Sequence, residues 1–222
     1  MLSGYAFAGQ NAETLCGLCR RIEPVFAQAA AYGSYDGGLR ELIHLLKYER
    51  VRPAANVLGR MLSEVITNLK PCFGGSPLAV VPVPLHARKL RQRGFNQAEL
   101  ILRAAMKSNP APGQLMVSGG ILERRRETQS QIGLTRHQRR ENLRGAFVVA
   151  KPGEIQDREI LLVDDVFTTG TTVSECARVL RRAGAARVWV ATVARTLKTN
   201  AAAAPLATEQ AEELAAAAHG SS

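Results

Sequence analysis

The apolar and polar positions divide the chain into strands and helices that follow one another in turn. Residues 78–83 (Leu-Ala-Val-Val-Pro-Val) and 159–163 (Glu-Ile-Leu-Leu-Val) are nearly continuous apolar runs. That is the pattern of strands buried on both faces. Residues 29–35 and 187–194 predict two further strands, and 146–150 a short one. Residues 115–122 read as a weaker strand, interrupted by Gly119-Gly120. Between these runs the period changes. Leu39, Leu42, Ile43 and Leu46 stand at i, i+3, i+4 and i+7, one face of a helix. A second helix follows Pro53, a residue suited to a first helical turn, and runs to about position 69. Phe95, Ala98, Ile101, Leu102 and Ala105 mark a third. A fourth covers 171–182 and stops at Gly184. Residues 70–77 and 109–113 are Pro/Gly-rich breaks. Strands alternating with helices imply βαβ units and a parallel sheet.

Composition narrows the class without naming it. The chain has 222 residues, 46% hydrophobic and 22% charged, which suits a globular α/β protein and argues against wholesale disorder. No run approaches the ~18 apolar residues of a membrane span. The first 15 residues show no basic cluster followed by an apolar stretch, so no secretory signal is expected. Four cysteines are too few for a disulfide scaffold, and a reducing cytoplasm is the expected compartment. Three segments are expected: a lead-in at 1–28 holding Cys16 and Cys19, a main domain at 29–198, and an Ala-rich mobile tail at 199–222.

Charge changes the picture more. Lys+Arg total 29 against 19 Asp+Glu, a net +10. Two stretches carry most of it. Residues 86–97 hold Arg88, Lys89, Arg91 and Arg93 with no acid, and 123–144 hold seven arginines, Arg124 and Arg126 among them, with three acids. Both are expected to be loops. Such a balance attracts nucleic acid, anionic membranes or small phosphorylated ligands. The 11 aromatic residues (one Trp, four Tyr, six Phe) give few base-stacking platforms, a point against a dedicated single-strand binder.

The chemistry concentrates in Ile160-Leu161-Leu162-Val163-Asp164-Asp165-Val166-Phe167-Thr168-Thr169-Gly170-Thr171-Thr172. A buried strand ends at two carboxylates, and a Thr/Gly turn then opens a helix. In open α/β sheets ligands sit beyond the carboxyl ends of the strands. The unpaired N–H groups of a helix start converge on one spot, and the helix dipole favours an anion there by about 0.3–1 kcal/mol. Gly170 lets the backbone approach closely, and Thr168, Thr169, Thr171 and Thr172 add hydroxyl donors. The acceptor-only oxygens of Asp164 and Asp165 suit sugar hydroxyls or a hydrated Mg²⁺. A phosphate cradle one turn from a hydroxyl or metal site describes a ribose 5-phosphate. No G-x-x-x-x-G-K-[ST] and no G-x-G-x-x-G after a strand is present, which sets aside nucleotide-triphosphate and dinucleotide folds.

This segment resembles the phosphoribosyl diphosphate (PRPP) motif of type I phosphoribosyltransferases: four apolar residues, two acids, a spacer, then Thr-Gly-Thr-Thr. The wider chain, from about residue 14 to 197, resembles the competence protein F family within that superfamily. The residues that carry this are 42–48 (Leu-Ile-His-Leu-Leu-Lys-Tyr), 81–84 (Val-Pro-Val-Pro), 93–97 (Arg-Gly-Phe-Asn-Gln) and the second basic stretch. The resemblance implies a central parallel sheet flanked by helices, with a small hood. It implies Asp164 and Asp165 on the ribose hydroxyls, directly or through Mg²⁺, and Thr168 to Thr172 on the 5-phosphate. Arg88 and Lys89, with Arg91 and Arg93 beside them, would face the diphosphate. A mobile hood loop would lie within 124–140, with Arg124 and Arg126. Relatives often place an acid where Thr168 stands to handle a proton on a purine, so a 6-oxopurine acceptor is disfavoured. Members also often carry an N-terminal zinc ribbon. Only Cys16-x-x-Cys19 stands here, half of the four-ligand set that structural zinc needs, and zinc is not expected. Two functions follow from the resemblance. One is a Mg²⁺-dependent transfer from PRPP to an unidentified acceptor. The other is a competence module that keeps the phosphoribosyl site while binding single-stranded DNA or DNA-uptake proteins. The oligomeric state is open, a dimer among the options.

Overall fold

The computed structural model describes residues 5–7, 24–108, 114–127 and 136–196. The main sheet has six strands. In chain order they are β1 (Tyr5–Phe7), β2 (Gln28–Ser34), β3 (Leu78–Pro82), β4 (Leu115–Val117), β7 (Glu159–Phe167) and β8 (Arg187–Arg195). Their spatial order is β1-β2-β8-β7-β3-β4. Five strands are parallel, and β1 pairs antiparallel with β2 at one edge. The most apolar runs, β3 and β7, lie inside the sheet, where each strand must be dry on both faces. A separate antiparallel pair, β5 (Leu122–Arg124) with β6 (Phe147–Val149), forms the small hood.

Strand alternation sorts the core into two layers. Leu78 and Val80 of β3, Leu161 and Val163 of β7, and Trp189, Ala191 and Val193 of β8 face helices α1 (Gly37–Lys47), α2 (Ala54–Leu69) and α4 (Gln97–Ser108). Ala79 and Val81, Ile160 and Leu162, and Val188 and Val190 face the opposite way. There they meet α6 (Thr171–Arg182) and the hood residues Leu122, Leu143 and Phe147. Each fully buried Leu or Ile contributes about 1.5–3 kcal/mol. On the first face α2 lies hard against α4: a Cβ on Gly59 would stand 2.5 Å from Ala104 Cβ and 2.8 Å from the Ala105 nitrogen.

The structure departs from the expected elements at four places. The basic stretch at 86–97 is not a loop. It holds helix α3 (Ala87–Arg93), started by His86, whose Nδ1 accepts from the Arg88 N–H at 3.4 Å, and stopped by Gly94 at φ +80°. α3 buries no residue, so it has no apolar stripe to betray it. The second basic stretch likewise contains regular structure, β5 and helix α5 (Arg136–Leu143). The expected strand at 115–122 is two strands in two sheets, divided at Gly120 with φ +71°. And β7 does not end at Val163; it runs through both acids to Phe167.

Candidate functional site

The turn after β7 is built as the sequence requires. Gly170 caps α6 at φ +72°, a left-handed conformation that L side chains rarely adopt. A Cβ there would stand 2.7 Å from Phe167 Cζ, so glycine is demanded twice. Thr169 and Thr171 hydroxyls meet at 2.7 Å. The back of the turn is tied to the end of β8: the Thr196 N–H donates to the Phe167 carbonyl at 3.0 Å and the Thr196 hydroxyl to the Thr168 carbonyl at 3.3 Å. Thr168 is exposed and Gly170 buried. The first-turn N–H groups of α6 therefore stay at the sheet's carboxyl edge, the place that binds anions.

The two acids part company. Because β7 continues through them, neighbours point to opposite faces. Asp165 turns toward α1 and α4 and is 4% exposed. The Lys47 ammonium, on the last turn of α1, sits on its Oδ2, and Gln97 Nε2 donates to its Oδ1 at 3.4 Å. Gln97 in turn accepts from Arg93 Nη1 at 2.6 Å, and the Arg93 guanidinium lies 5.8 Å from the Tyr48 ring. Asn96 fixes this corner by donating to the Val83 carbonyl at 3.0 Å and accepting from the Ala98 N–H at 3.1 Å, a cap for α4. Asp164 is half-buried, and its Oδ1 accepts the Asp165 N–H at 2.9 Å. It is an electrostatic neighbour of Arg124 and of the buried Cys176, both on the hood side.

Electrostatics follow this division. Burial and then the negative charge of Asp165 push the Asp164 carboxyl well above its ordinary range. Burial acts the same way on Asp165, but the Lys47 charge and hydrogen bond outweigh it and leave that carboxyl below its ordinary value. Burial works to lower the Lys47 ammonium, yet Asp165, with smaller contributions from Tyr35 and Tyr48, holds it above its usual value. Burial pulls the Arg124 guanidinium below its usual value.

The basic residues do not act as one cluster. Arg88, on α3, reaches Glu127 at 3.1 Å and so links the first basic stretch to the second. Lys89 and Arg91 are exposed on α3. Arg93 is committed to Gln97 and Tyr48. Arg124 lies over the Phe147 ring at 5.4 Å. Arg126 donates to the Asn142 and Arg144 carbonyls at 2.8 and 2.9 Å, closing the end of α5. Gly145 N–H to Glu175 Oε1, 2.9 Å, ties the hood to α6. His44 is a surface group, 3.6 Å from Glu49 and stacked near Tyr48. Cys16 and Cys19 lie outside the described residues, as do positions 128–135 of the second basic stretch and the Ala-rich tail.

Phosphoribosyl transferase domains match residues 46–206 of this chain. Among curated proteins, DNA utilization protein YhgH of Escherichia coli K12 is 34% identical over 183 residues, covering 82% of this chain and 78% of that protein. Competence protein F of Haemophilus influenzae is 32% identical over 182 residues, covering 81% and 78%. The chain belongs to the competence protein F family of phosphoribosyltransferase-domain proteins. Competence protein ComFC of Bacillus subtilis is a more distant member, 24% identical over 153 residues, with 69% of this chain and 58% of that one covered. Solved structures give distant likenesses. The allosteric regulatory enzyme of purine biosynthesis has a TM-score of 0.37 at 21% identity, covering 64% of this chain and 26% of that one. A hypoxanthine phosphoribosyltransferase from Staphylococcus aureus has 0.34 at 14%, covering 65% and 69%.

For this family member, a Mg²⁺ site must be tested against the donors present. No group of three or more His, Cys, Asp or Glu side chains among the described residues could hold a metal alone. Mg²⁺ does not need one: it keeps several waters and takes one or two carboxylates plus substrate phosphates. Asp164 fits that part as a half-buried carboxylate at the sheet's carboxyl edge. Sequence reasoning missed Lys47 and Gln97, although both stand inside the segments that mark the family. Nothing in the helical period of α1 separates an inward Lys47 from a solvated one.

Proposed function

We propose that this protein binds PRPP with Mg²⁺ and transfers its phosphoribosyl group to an acceptor. The observation that carries the reading is the turn at Gly170, where left-handed backbone and the Phe167 ring leave room for no side chain beside the helix start. The N–H groups there and the hydroxyls of Thr168, Thr169, Thr171 and Thr172 would take the 5-phosphate. Asp164, on the same face, would meet the ribose hydroxyls or a hydrated metal. Arg88, Lys89 and Arg91 of α3 would lie along the diphosphate. Bound Mg²⁺ supplies charge neutralisation on the leaving group.

In the transfer, the bond from the ribose anomeric carbon to the diphosphate breaks and its electron pair leaves with the diphosphate. An acceptor lone pair forms the new bond, and the acceptor proton passes to solvent or base. The transition state is oxocarbenium-like, so cations on the leaving group and exclusion of water are what the protein has to provide. The Arg88–Glu127 pair joins α3 to the hood side, where such closure would occur.

Calorimetry with Mg²⁺-PRPP, ribose 5-phosphate and diphosphate tests the site without the acceptor. Saturable binding of the first two is expected. Heat from none of the three would end the reading. A second reading has one observation in its favour: α3 presents its cations with no buried residue, as a surface for polyanions. Single-stranded DNA binding that weakens steeply with salt and ignores Asp164→Asn would support it.

A further inference from the structure

The two acids of the strand end stand on opposite faces of one strand, and only one shares the face of the phosphate turn. Asp164 is on the α6 and hood side. Asp165 is turned away, and both of its oxygens are engaged: Lys47 covers Oδ2, which is closed off from solvent, and Gln97 reaches Oδ1. Oδ2 of Asp165 is therefore not open to Mg²⁺ or to a sugar hydroxyl approaching the turn.

The engagement is built from three elements. Lys47 ends α1, Gln97 begins α4, and Asp165 lies in β7. The Lys47 side chain is 18% exposed and that of Asp165 6%, so the pair is largely shielded from water. Gln97 is itself buried and is held from behind by Arg93, the last residue of the exposed basic helix α3. The chain Lys47–Asp165–Gln97–Arg93 thus connects the sheet's carboxyl edge to the helix that carries Arg88, Lys89 and Arg91.

We infer that Lys47 is a positioning residue of the phosphoribosyl site: it pins Asp165, which sets the end of β7 and, through the Asp165 N–H, the place of Asp164. The inference rests on the ribose-site reading above. The backbone consequence is direct: the Asp165 N–H is what holds Asp164 Oδ1, so a displaced Asp165 misplaces Asp164.

The test is a set of variants measured in full-length protein by thermal denaturation and by Mg²⁺-PRPP and ribose 5-phosphate calorimetry. Asp164→Asn is expected to weaken Mg²⁺-PRPP at least tenfold and to abolish the gain that Mg²⁺ gives, without lowering Tm. Lys47→Met and Asp165→Asn are each expected to lower Tm and to weaken Mg²⁺-PRPP binding to a similar degree, with part of the Mg²⁺ gain lost because Asp164 is displaced with its neighbour. The double variant Lys47→Met/Asp165→Asn removes the buried charge pair together. It should bind within threefold of either single variant and melt no lower, the non-additivity of one shared contact. Lys47→Arg, which keeps the charge, should recover most of the lost affinity. If a single variant does not fold, the double variant and Lys47→Arg carry the comparison. Additive losses in the double variant, or Lys47→Met binding Mg²⁺-PRPP as tightly as the wild type, would overturn the inference alone. Wild-type protein that binds neither ligand would overturn the ribose-site reading and this one together.

Discussion

Replacing Gly170 by alanine perturbs the site at one atom, and the structure sets its size. The residue stands at φ +72°, where an L side chain costs roughly 1–2 kcal/mol. The added Cβ would meet Phe167 Cζ at 2.7 Å and its Cε1 at 3.2 Å. The Phe167 ring cannot simply swing aside, because it packs edge-on against Phe26, ring centres 6.2 Å apart. Overpacking of this kind costs about 1–3 kcal/mol. A total of about 3 kcal/mol is therefore expected, and at this chain length that lowers Tm by roughly 6–12 °C.

The same atom would intrude on the proposed phosphate cradle. The assay is thermal denaturation followed by circular dichroism, beside calorimetry with ribose 5-phosphate on the folded variant. Gly170→Ala should melt at least 5 °C lower and lose most of its affinity for the phosphate ester, roughly tenfold or more. A variant that melts within about 2 °C of the wild type and binds equally well would refute both arguments. The turn would then tolerate a side chain that its backbone and its neighbour are said to forbid.

Further outcomes follow from other contacts. Gly59→Ala drives a methyl onto Ala104 Cβ and the Ala105 nitrogen, at 2.5 and 2.8 Å; backbone on α4 cannot yield, so about 3 kcal/mol should be lost in urea denaturation. Asp164→Asn should stabilise the protein on the neutral and alkaline side. The folded carboxyl titrates above its unfolded value, so the wild type loses stability as pH rises through that window. The gain should vanish at pH below the ordinary carboxylate range, where Asp164 is protonated in both states; equal Tm values at pH 8 would refute it. Asp165 has the opposite sign. Its depressed carboxyl gives stability that is present above the unfolded value and is lost as pH falls through the folded one, and Lys47→Met should flatten this acid limb. Arg126→Ala removes the guanidinium from the Asn142 and Arg144 carbonyls. It should cost about 1 kcal/mol locally and speed proteolytic cleavage within 127–144 severalfold, while an unchanged cleavage rate would show that the cap is idle.

The elements legible in the sequence are those whose burial imposes a period. β3 and β7 announced themselves as apolar runs because both faces are covered. α1, α2, α4 and α6 did so because one stripe is covered. α3 could not be read that way: it buries nothing, and its order comes from a His86 cap and a Gly94 stop on a run of cations. The pairing within the hood was hidden for another reason. β5 and β6 are three residues each and find one another across more than twenty residues, by a contact that no local pattern encodes. The turn at Gly170 was legible because φ and crowding there admit a single residue type. The buried face of Asp165 was not, since the side chain that neutralises it comes from a helix more than a hundred residues earlier.

The acid pair shows where motif reading and strand geometry pull apart. Read as a string, Asp164-Asp165 is one feature aimed at one ligand. Read as β-strand, two adjacent residues must diverge, and β7 continues past both of them in register with β8, Asp164 opposite Thr192 and Phe167 opposite Arg195. A carboxylate forced onto the helical face enters a layer of Leu, Ile and Val. Burying it unpaired there would cost several kcal/mol, whereas one cation and one amide donor make it tolerable. Breaking such a pair from one side costs about 3–5 kcal/mol, because the partner charge is left behind. Lys47 is therefore required by Asp165 whatever the ligand is. The Leu42–Tyr48 and Arg93–Gln97 segments then belong together physically: they are the two helix ends that hold one buried carboxylate in place beside the Gly170 turn.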